Sequence, residues 1–271
     1  MEMPDKSKVM EVFNRWFNVT GKVDIKVDGT IDIDGDCDMK AANRPHGDRI
    51  PVRFGHVSGM FDVSFQGLTT LEGSPATVGR EYIAHNNPIR DLKGISSFTA
   101  EGPSVLQLGD CDLTSLQGIP WASRIYISNN HNLKSLQGIP DQGICSIWAD
   151  GCNLTDLHGC PSRCRGIDIG GQTSPIQSLE GLPPRLQWFK IDDSAPLLKI
   201  LETQLVPGKA AAEAAIKAGR GFWSHFQIKG DEMKVADIMR LLAELYPDGA
   251  DAIPAMAMDL IKMGYRQNAH F

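Results

Sequence analysis

Positive charge is scarce in this chain: Lys and Arg total 27 against 33 Asp and Glu, for a formal net charge of -6. A general phosphate-backbone binder rests on clustered Lys and Arg, so nucleic acid is not the expected partner and the balance favours protein. Long apolar runs are missing too. No stretch approaches the roughly 18 residues that a spanning helix needs, and no membrane partner is expected. The opening MEMPDKSKVMEVFNRWF lacks the basic segment, apolar core and small-residue cleavage site of a secretory signal. Six cysteines (Cys37, Cys111, Cys145, Cys152, Cys160 and Cys164) in 271 residues without an export signal are therefore expected to be reduced thiols in a cytoplasmic protein.

Signatures of catalysis are also lacking. The sequence has no Gly-x-x-x-x-Gly-Lys-Ser/Thr phosphate loop, no His-Glu-x-x-His and no nucleophile elbow. Its seven histidines (His46, His56, His85, His131, His158, His225 and His270) are scattered, without paired carboxylates at helical spacing. Cys145, Cys152, Cys160 and Cys164 are separated by 6, 7 and 3 residues with no Cys-x-x-Cys pair, which does not resemble a zinc finger. Asp32-Ile-Asp34-Gly35-Asp36-Cys37-Asp38 is acidic, but a calcium loop needs Asp-x-Asp-x-Asp-Gly and a later Glu. The alternation here matches the outward face of an edge strand instead, whose charges discourage edge-to-edge pairing. No catalytic residue, cofactor or metal is expected.

What is present in abundance is a repeat. The block Leu/Ile-x-x-Leu-x-Gly occurs six times, starting at Leu68, Ile89, Leu113, Leu133, Leu154 and Ile176, and five copies carry Pro two residues after the Gly. The second Leu recurs at 71, 92, 116, 136, 157 and 179, in steps of 21, 24, 20, 21 and 22. Self-similarity at that period marks a solenoid, because one unit cannot bury its apolar side until a neighbour stacks on it. The Gly permits a left-handed backbone and the Pro halts any helix, so the return arm of each unit is expected to be turns, extended segments or single 3₁₀ turns.

Upstream of each block lies a short alternating stretch: Phe61-x-Val63, Tyr82-x-Ala84, Leu106-x-Leu108, Ile125-x-Ile127, Ile147-x-Ala149 and Ile167-x-Ile169. Period two marks a strand with one buried face. Between strand and block sits one small polar or thiol residue: Gln66, Asn87, Cys111, Asn130, Cys152 and Gln172. In leucine-rich repeats this position is a ladder whose side chains point inward and satisfy backbone groups of the turn. The register slips by one or two residues in the fourth and sixth copies.

The expected fold is an α/β leucine-rich-repeat solenoid with a parallel concave β-sheet across residues 59–192. Residues 1–58 are expected to form an N-terminal cap: an amphipathic helix over Lys8 to Phe17, then a hairpin of Val23-x-Ile25-x-Val27 and Ile31-x-Ile33 around Asp28-Gly29. After a seventh strand at Leu186 to Ile191, helix formers dominate, and residues 193–271 are expected to form a small α-helical domain. Its helices would be Pro196 to Leu205, Ala210 to Ala218, Lys234 to Leu245 and Ala252 to Met263. The aromatics in Gly219-Arg-Gly-Phe-Trp-Ser-His-Phe226 read as a hydrophobic plug there.

With these features in place, the sequence resembles a group of leucine-rich-repeat proteins found mainly in tailed bacteriophages. Three pieces carry the resemblance: VDGTIDIDGDCDM followed by VRFGHVSGMFDVSFQGLTTLEGSPATVG, the LTSLQGIP blocks, and the tail KVADIMRLLAELYPDG…MDLIKMGYRQNAHF. It implies a fold and a phage origin, and brings no catalytic residues with it. Two departures stand out: Pro is absent after Gly94, and HNNPIRDLKGISSFTAEGPS is longer than a typical unit.

Strand residues that alternate with the buried ones face the solenoid's open sheet, the usual binding surface of such folds. They are Asp62, Ser64, Ile83, His85, Gln107, Tyr126, Ser128, Trp148, Asp150, Asp168, Trp188 and Lys190. Tyr126 and Trp148 hold equivalent positions in adjacent repeats, which predicts neighbouring side chains about 4.8 Å apart along the sheet. Exposed Tyr and Trp are residue types that anchor interfaces, although the C-terminal domain or a loop covering them is the alternative. The expected role is a nonenzymatic protein-binding module, a phage-encoded adaptor or inhibitor of a host protein, acting in the infected cell's cytoplasm. A structural or assembly protein of the virion is the alternative. The partner's identity and the oligomeric state are left open by the sequence.

Overall fold

A computed structural model describes residues 5–40, 48–99, 104–170, 175–177, 181, 183, 188–191 and 227–228. The chain divides into two compact units, residues 1–133 with 137–140, and residues 134–136 with 141–271. Parallel strand pairing builds each unit as a stretch of β-solenoid, with one helix among the described residues.

The first unit opens with helix α1 (Lys6–Trp16), which begins two residues before the sequence expectation because the Asp5 carboxylate accepts a hydrogen bond from Ser7 N at 3.0 Å and caps the first turn. Its one fully buried side chain, Phe13, stacks on Phe17 with ring centroids 5.3 Å apart. Edge contacts continue from Phe17 to Phe54 at 5.1 Å and from Phe54 to Phe61 at 5.1 Å. This aromatic run links the helix to the first repeat.

Strands β1 (Phe17–Ile25) and β2 (Ile31–Met39) form the expected hairpin, paired antiparallel from Phe17↔Met39 to Ile25↔Ile31. It is longer than the apolar alternation suggests because the outer half of β1, Asn18 to Lys22, is mostly exposed and carries no periodic signal. The acidic residues of β2 are hydrogen-bond acceptors for the next turn of chain. Asp32 accepts from His56 N at 2.9 Å, Asp34 from Ser58 Oγ at 3.1 Å, and Asp36 from Met60 N at 2.8 Å.

The first half of β2 pairs in parallel with β3 (Phe54–Val57), and its second half with β4 (Met60–Asp62). Two parallel ladders therefore start from a single strand. One continues from β3 to β5 (Thr77–Val78) and β7 (Ser97–Phe98); the other runs from β4 to β6 (Glu81–Ile83), β8 (Val105–Gln107) and β9 (Arg124–Tyr126). Strands of two residues show no alternation, which is why the second ladder is invisible in the sequence.

The chain turns from one ladder to the other at glycine. A Cβ on Gly35 would lie 1.8 Å from the Thr20 carbonyl oxygen, and one on Gly79 would lie 1.8 Å from that of Ser58. Backbone approaches backbone there too closely for any side chain. The glycines that close the repeat blocks, Gly73, Gly94, Gly118, Gly138, Gly159 and Gly181, all have φ between +86° and +113°, and at Gly94, Gly138 and Gly181 a Cβ would also lie 2.7, 2.5 and 2.3 Å from backbone.

The second unit holds β10 (Cys145–Trp148), β11 (Cys164–Asp168), β12 (Trp188–Ile191) and β13 (Gln227–Ile228), parallel and adjacent in that order. The β13 strand lies within the C-terminal stretch expected to form a helical domain, between its second and third expected helices. The four candidate helices between Pro196 and Met263, and the aromatic cluster ending at Phe226, lie outside the described residues. No helix among the described residues is long and apolar enough to cross a membrane.

The block leucines make the core. Leu68, Leu71, Leu113, Leu116, Leu136 and Leu157 are each 0% exposed, and full burial of such a side chain contributes about 1.5–3 kcal/mol. No convex helix separates these blocks from the next strand among the described residues.

Candidate functional site

The outward face of the β4–β6–β8–β9 ladder is set by its register. Asp38, Asp62, Ile83, Gln107 and Tyr126 are successive Cα partners and form one column, while Phe61, Tyr82, Leu106 and Ile125 form the buried column beside it. Asp62, Gln107 and Tyr126 are half-buried. Ile83 departs from expectation: it occupies the outward column but is only 8% exposed and offers little surface. Asp62 Oδ1 is occupied by Ser64 N at 2.9 Å and Ser64 Oγ at 2.6 Å, so that carboxylate is held in one orientation.

Ladder hydrogen bonding continues past the strands. Phe65 N donates to His85 O at 3.2 Å, Asn86 N to Gly109 O at 3.0 Å and Asp110 N to Ser128 O at 2.8 Å. The donors in these three bonds share a left-handed backbone: Phe65, Asn86 and Asp110 have φ of 58°, 56° and 52°, and Asn129 follows at 59°. In the second unit Gly151 takes the same place at 70°. This left-handed step breaks the strand's alternation and turns the next side chain inward. The residues that follow, Gln66, Asn87, Cys111, Asn130 and Cys152, are all buried.

Their hydrogen bonds make the ladder expected from the sequence. Asn87 Oδ1 accepts from Gln66 N and Leu68 N, both at 3.0 Å, and its Nδ2 donates to Val63 O and Ala84 O, both at 2.9 Å. Asn130 Oδ1 accepts from Leu113 N at 3.0 Å and its Nδ2 donates to Leu108 O at 2.8 Å and Ile127 O at 2.7 Å. Cys111 makes weaker sulfur hydrogen bonds, donating to Gly109 O at 3.4 Å and Ala84 O at 3.6 Å and accepting from the Asn87 backbone N–H, and burial pushes its pKa up to about 11. The register slip read in the fourth copy falls after the ladder: Asn130 sits five residues beyond Ile125, as Asn87 does beyond Tyr82, and the extra residue precedes Leu133. Gln172 of the sixth copy lies outside the described residues.

Phe65 is the residue that period-two reading misses. Asn, Asp and Gly are the residue types that tolerate φ near +60°, and a bulky side chain there is an outlier costing about 1–3 kcal/mol. Four repeats obey the rule and the first places Phe65 there, 65% exposed. Its ring meets the His85 imidazole edge-on at 5.0 Å, and Asn86 Nδ2 lies 2.7 Å from His85 Nδ1. The available signal was the aligned offset four residues after each buried strand residue, where Phe65 stands against Asn86, Asp110, Asn129 and Gly151.

In the second unit, Trp148, Asp168 and Lys190 are successive Cα partners in one outward column. Trp148 and Asp150 are half-buried. Asp168 is 6% exposed and engaged on both oxygens, accepting from Gly170 N at 3.0 Å and pairing with Lys190 Nζ at 2.6 Å. The hydrogen bond to Asp168 raises the Lys190 pKa, opposed by burial and helped by the charges of Asp168 and Asp150. Asp168 is thus a support for Lys190 more than a contact residue. Trp188 lies on β12, opposite Gly166. The structure brings Asp62, His85, Gln107 and Tyr126 together in the first unit, and Trp148, Asp150, Asp168 and Lys190 in the second. Among the described residues, no group of three His, Cys, Asp or Glu side chains is arranged to hold a metal ion.

Compared with protein-family models, with curated proteins and with solved structures, the chain matches none.

Proposed function

We propose that this chain is a nonenzymatic protein-binding module, and that its first unit engages the partner through the outward face of the β4–β6–β8–β9 ladder. The observation that carries the reading is Phe65: a bulky aromatic held in a left-handed backbone, 65% exposed, at the end of a face that also presents His85, Asp62, Gln107 and Tyr126. An exposed aromatic that the fold itself disfavours is best accounted for by what it contacts outside the chain. Short rigid strands fix these side chains at the strand spacing, so little ordering entropy is lost on binding. Asp38, Asp62, Glu81 and Asp110 outnumber Arg124 on and beside this face, so the complementary partner surface carries Lys or Arg around an apolar pocket for the Phe65 ring.

The finer reading is a phage-encoded adaptor or inhibitor of a host protein, and it rests on the sequence resemblance. Tagged full-length chain is used to capture proteins from infected bacterial cells, beside the variants Phe65→Gly with Tyr126→Ala and the exposed control Gln117→Ala. The double variant is expected to lose one captured host protein by at least about tenfold while the control keeps it. Equal recovery by both would overturn the site, and recovery of virion proteins alone would favour an assembly role.

A further inference from the structure

We propose that Cys160 and Cys164 form a hydroperoxide-reactive dithiol in the second unit, in which the half-exposed Cys160 is oxidised first and Cys164 closes a disulfide with it. Three thiols converge at this point of the fold. Cys145 and Cys164 are Cα partners on β10 and β11, and the Cys164 thiol is in hydrogen-bond contact with those of both Cys145 and Cys160. Cys145 is 1% exposed and Cys164 0%, whereas Cys160 is half-buried and is where an oxidant enters.

Comparison with another turn sharpens this. Gly118-Ile119-Pro120 is followed by buried Ala122, three residues before the strand residue Ile125; Gly159-Cys160-Pro161 is followed by Cys164, three residues before Ile167. Two packing positions filled elsewhere by inert groups are thiols here. Cys164 N donates to Pro161 O at 3.0 Å, and its thiol to Gly166 O at 3.1 Å, beside a register shift between β10 and β11. The turn closed by Cys164 N and Pro161 O brings the two thiols within hydrogen-bond contact, and a disulfide requires both side chains to rotate into bonding geometry.

The chemistry balances with a hydroperoxide as oxidant. The Cys160 thiolate attacks the distal oxygen of ROOH, the O–O bond breaks, ROH departs with the proton, and Cys160 becomes a sulfenic acid. The Cys164 sulfur then attacks that of Cys160, the S–O bond breaks and water leaves with the thiol proton. Two thiols lose two electrons and two protons in total, and ROOH becomes ROH and water.

The test uses reduced full-length chain treated with hydrogen peroxide, quenched with N-ethylmaleimide in denaturant and mapped by mass spectrometry after nonreducing proteolysis. A dithiothreitol-reversible link between Cys160 and Cys164, with Cys111 and Cys37 still alkylated, is expected. Cys164→Ser should instead accumulate a dimedone adduct on Cys160, which keeps the assignment testable should Cys160→Ser fold poorly. All six thiols alkylated after peroxide, a link lacking Cys160, or no adduct in Cys164→Ser would each overturn the proposal.

Discussion

At the scale of single residues, the inward ladder and the exposed Phe65 make opposite predictions about stability. Asn87 satisfies four buried backbone groups, and stranding buried polar groups costs about 1–3 kcal/mol each when water does not replace the partner. Asn87→Ala is therefore expected to cost about 3 kcal/mol or more, read as a lower urea midpoint at constant slope. Cys111 offers only weak sulfur hydrogen bonds, donating at 3.4 and 3.6 Å and accepting from the Asn87 backbone, and Cys111→Ala should cost about 1 kcal/mol. Equal losses from the two would contradict the ladder's energetics. Phe65→Gly should leave stability unchanged or raise it by about 1 kcal/mol, since relief of the φ of 58° offsets one exposed ring contact with His85. A clear loss of stability would mean that the ring serves the fold rather than a partner.

Among the elements, the corner between the two ladders bears the tightest constraint. Gly79→Ala is expected to cost at least about 3 kcal/mol, because its Cβ would sit 1.8 Å from a backbone oxygen. Gly118→Ala, with open space around the Cβ and only a φ of 87° to strain, should cost about 1–2 kcal/mol. Thermal unfolding of the two variants separates these causes. The hairpin adds a pH dependence: Met60 N and, after it, the Arg80 guanidinium hold the Asp36 carboxyl below its ordinary value of 3.8. A depressed carboxyl stabilises the fold above the unfolded value and loses that contribution as pH falls below about 3.8. Asp36→Asn should accordingly flatten the fall in urea midpoint between pH 5 and 3 that wild type shows, to the extent of that one group.

These elements also show what could be read in advance. The β4–β6–β8–β9 ladder was legible because each strand carries an inward residue followed by a polar-and-apolar alternation, and the blocks were legible because Leu and Gly have fixed jobs in them. The β3–β5–β7 ladder was not: Thr77–Val78 and Ser97–Phe98 are too short for a period. Outward positions were legible as a list but not as a surface. Ile83 and Asp168 alternate correctly and yet are buried, through packing and through an ion pair that a strand pattern does not encode. Phe65 carries no period-two signal because what distinguishes it is its backbone conformation.

At the scale of the whole molecule, a repetitive scaffold carries nonrepeating features. Within each unit, the described turns contact their neighbours through the ladders, the inward polar and Cys side chains and the block leucines, so the repeating residues stabilise locally and carry no specificity. What distinguishes the first unit is the aromatic at a position where other turns have Asn, Asp or Gly, and what distinguishes the second is its thiol cluster. The most direct test of the binding face is site-specific photocrosslinking in infected bacterial cells, with benzoyl-phenylalanine placed at position 65, 126 or 117 of the full-length chain. Positions 65 and 126 are expected to crosslink the same partner protein, and position 117, exposed in a block between strands, to give none; crosslinking from 117 alone, or equally from all three, would contradict the account.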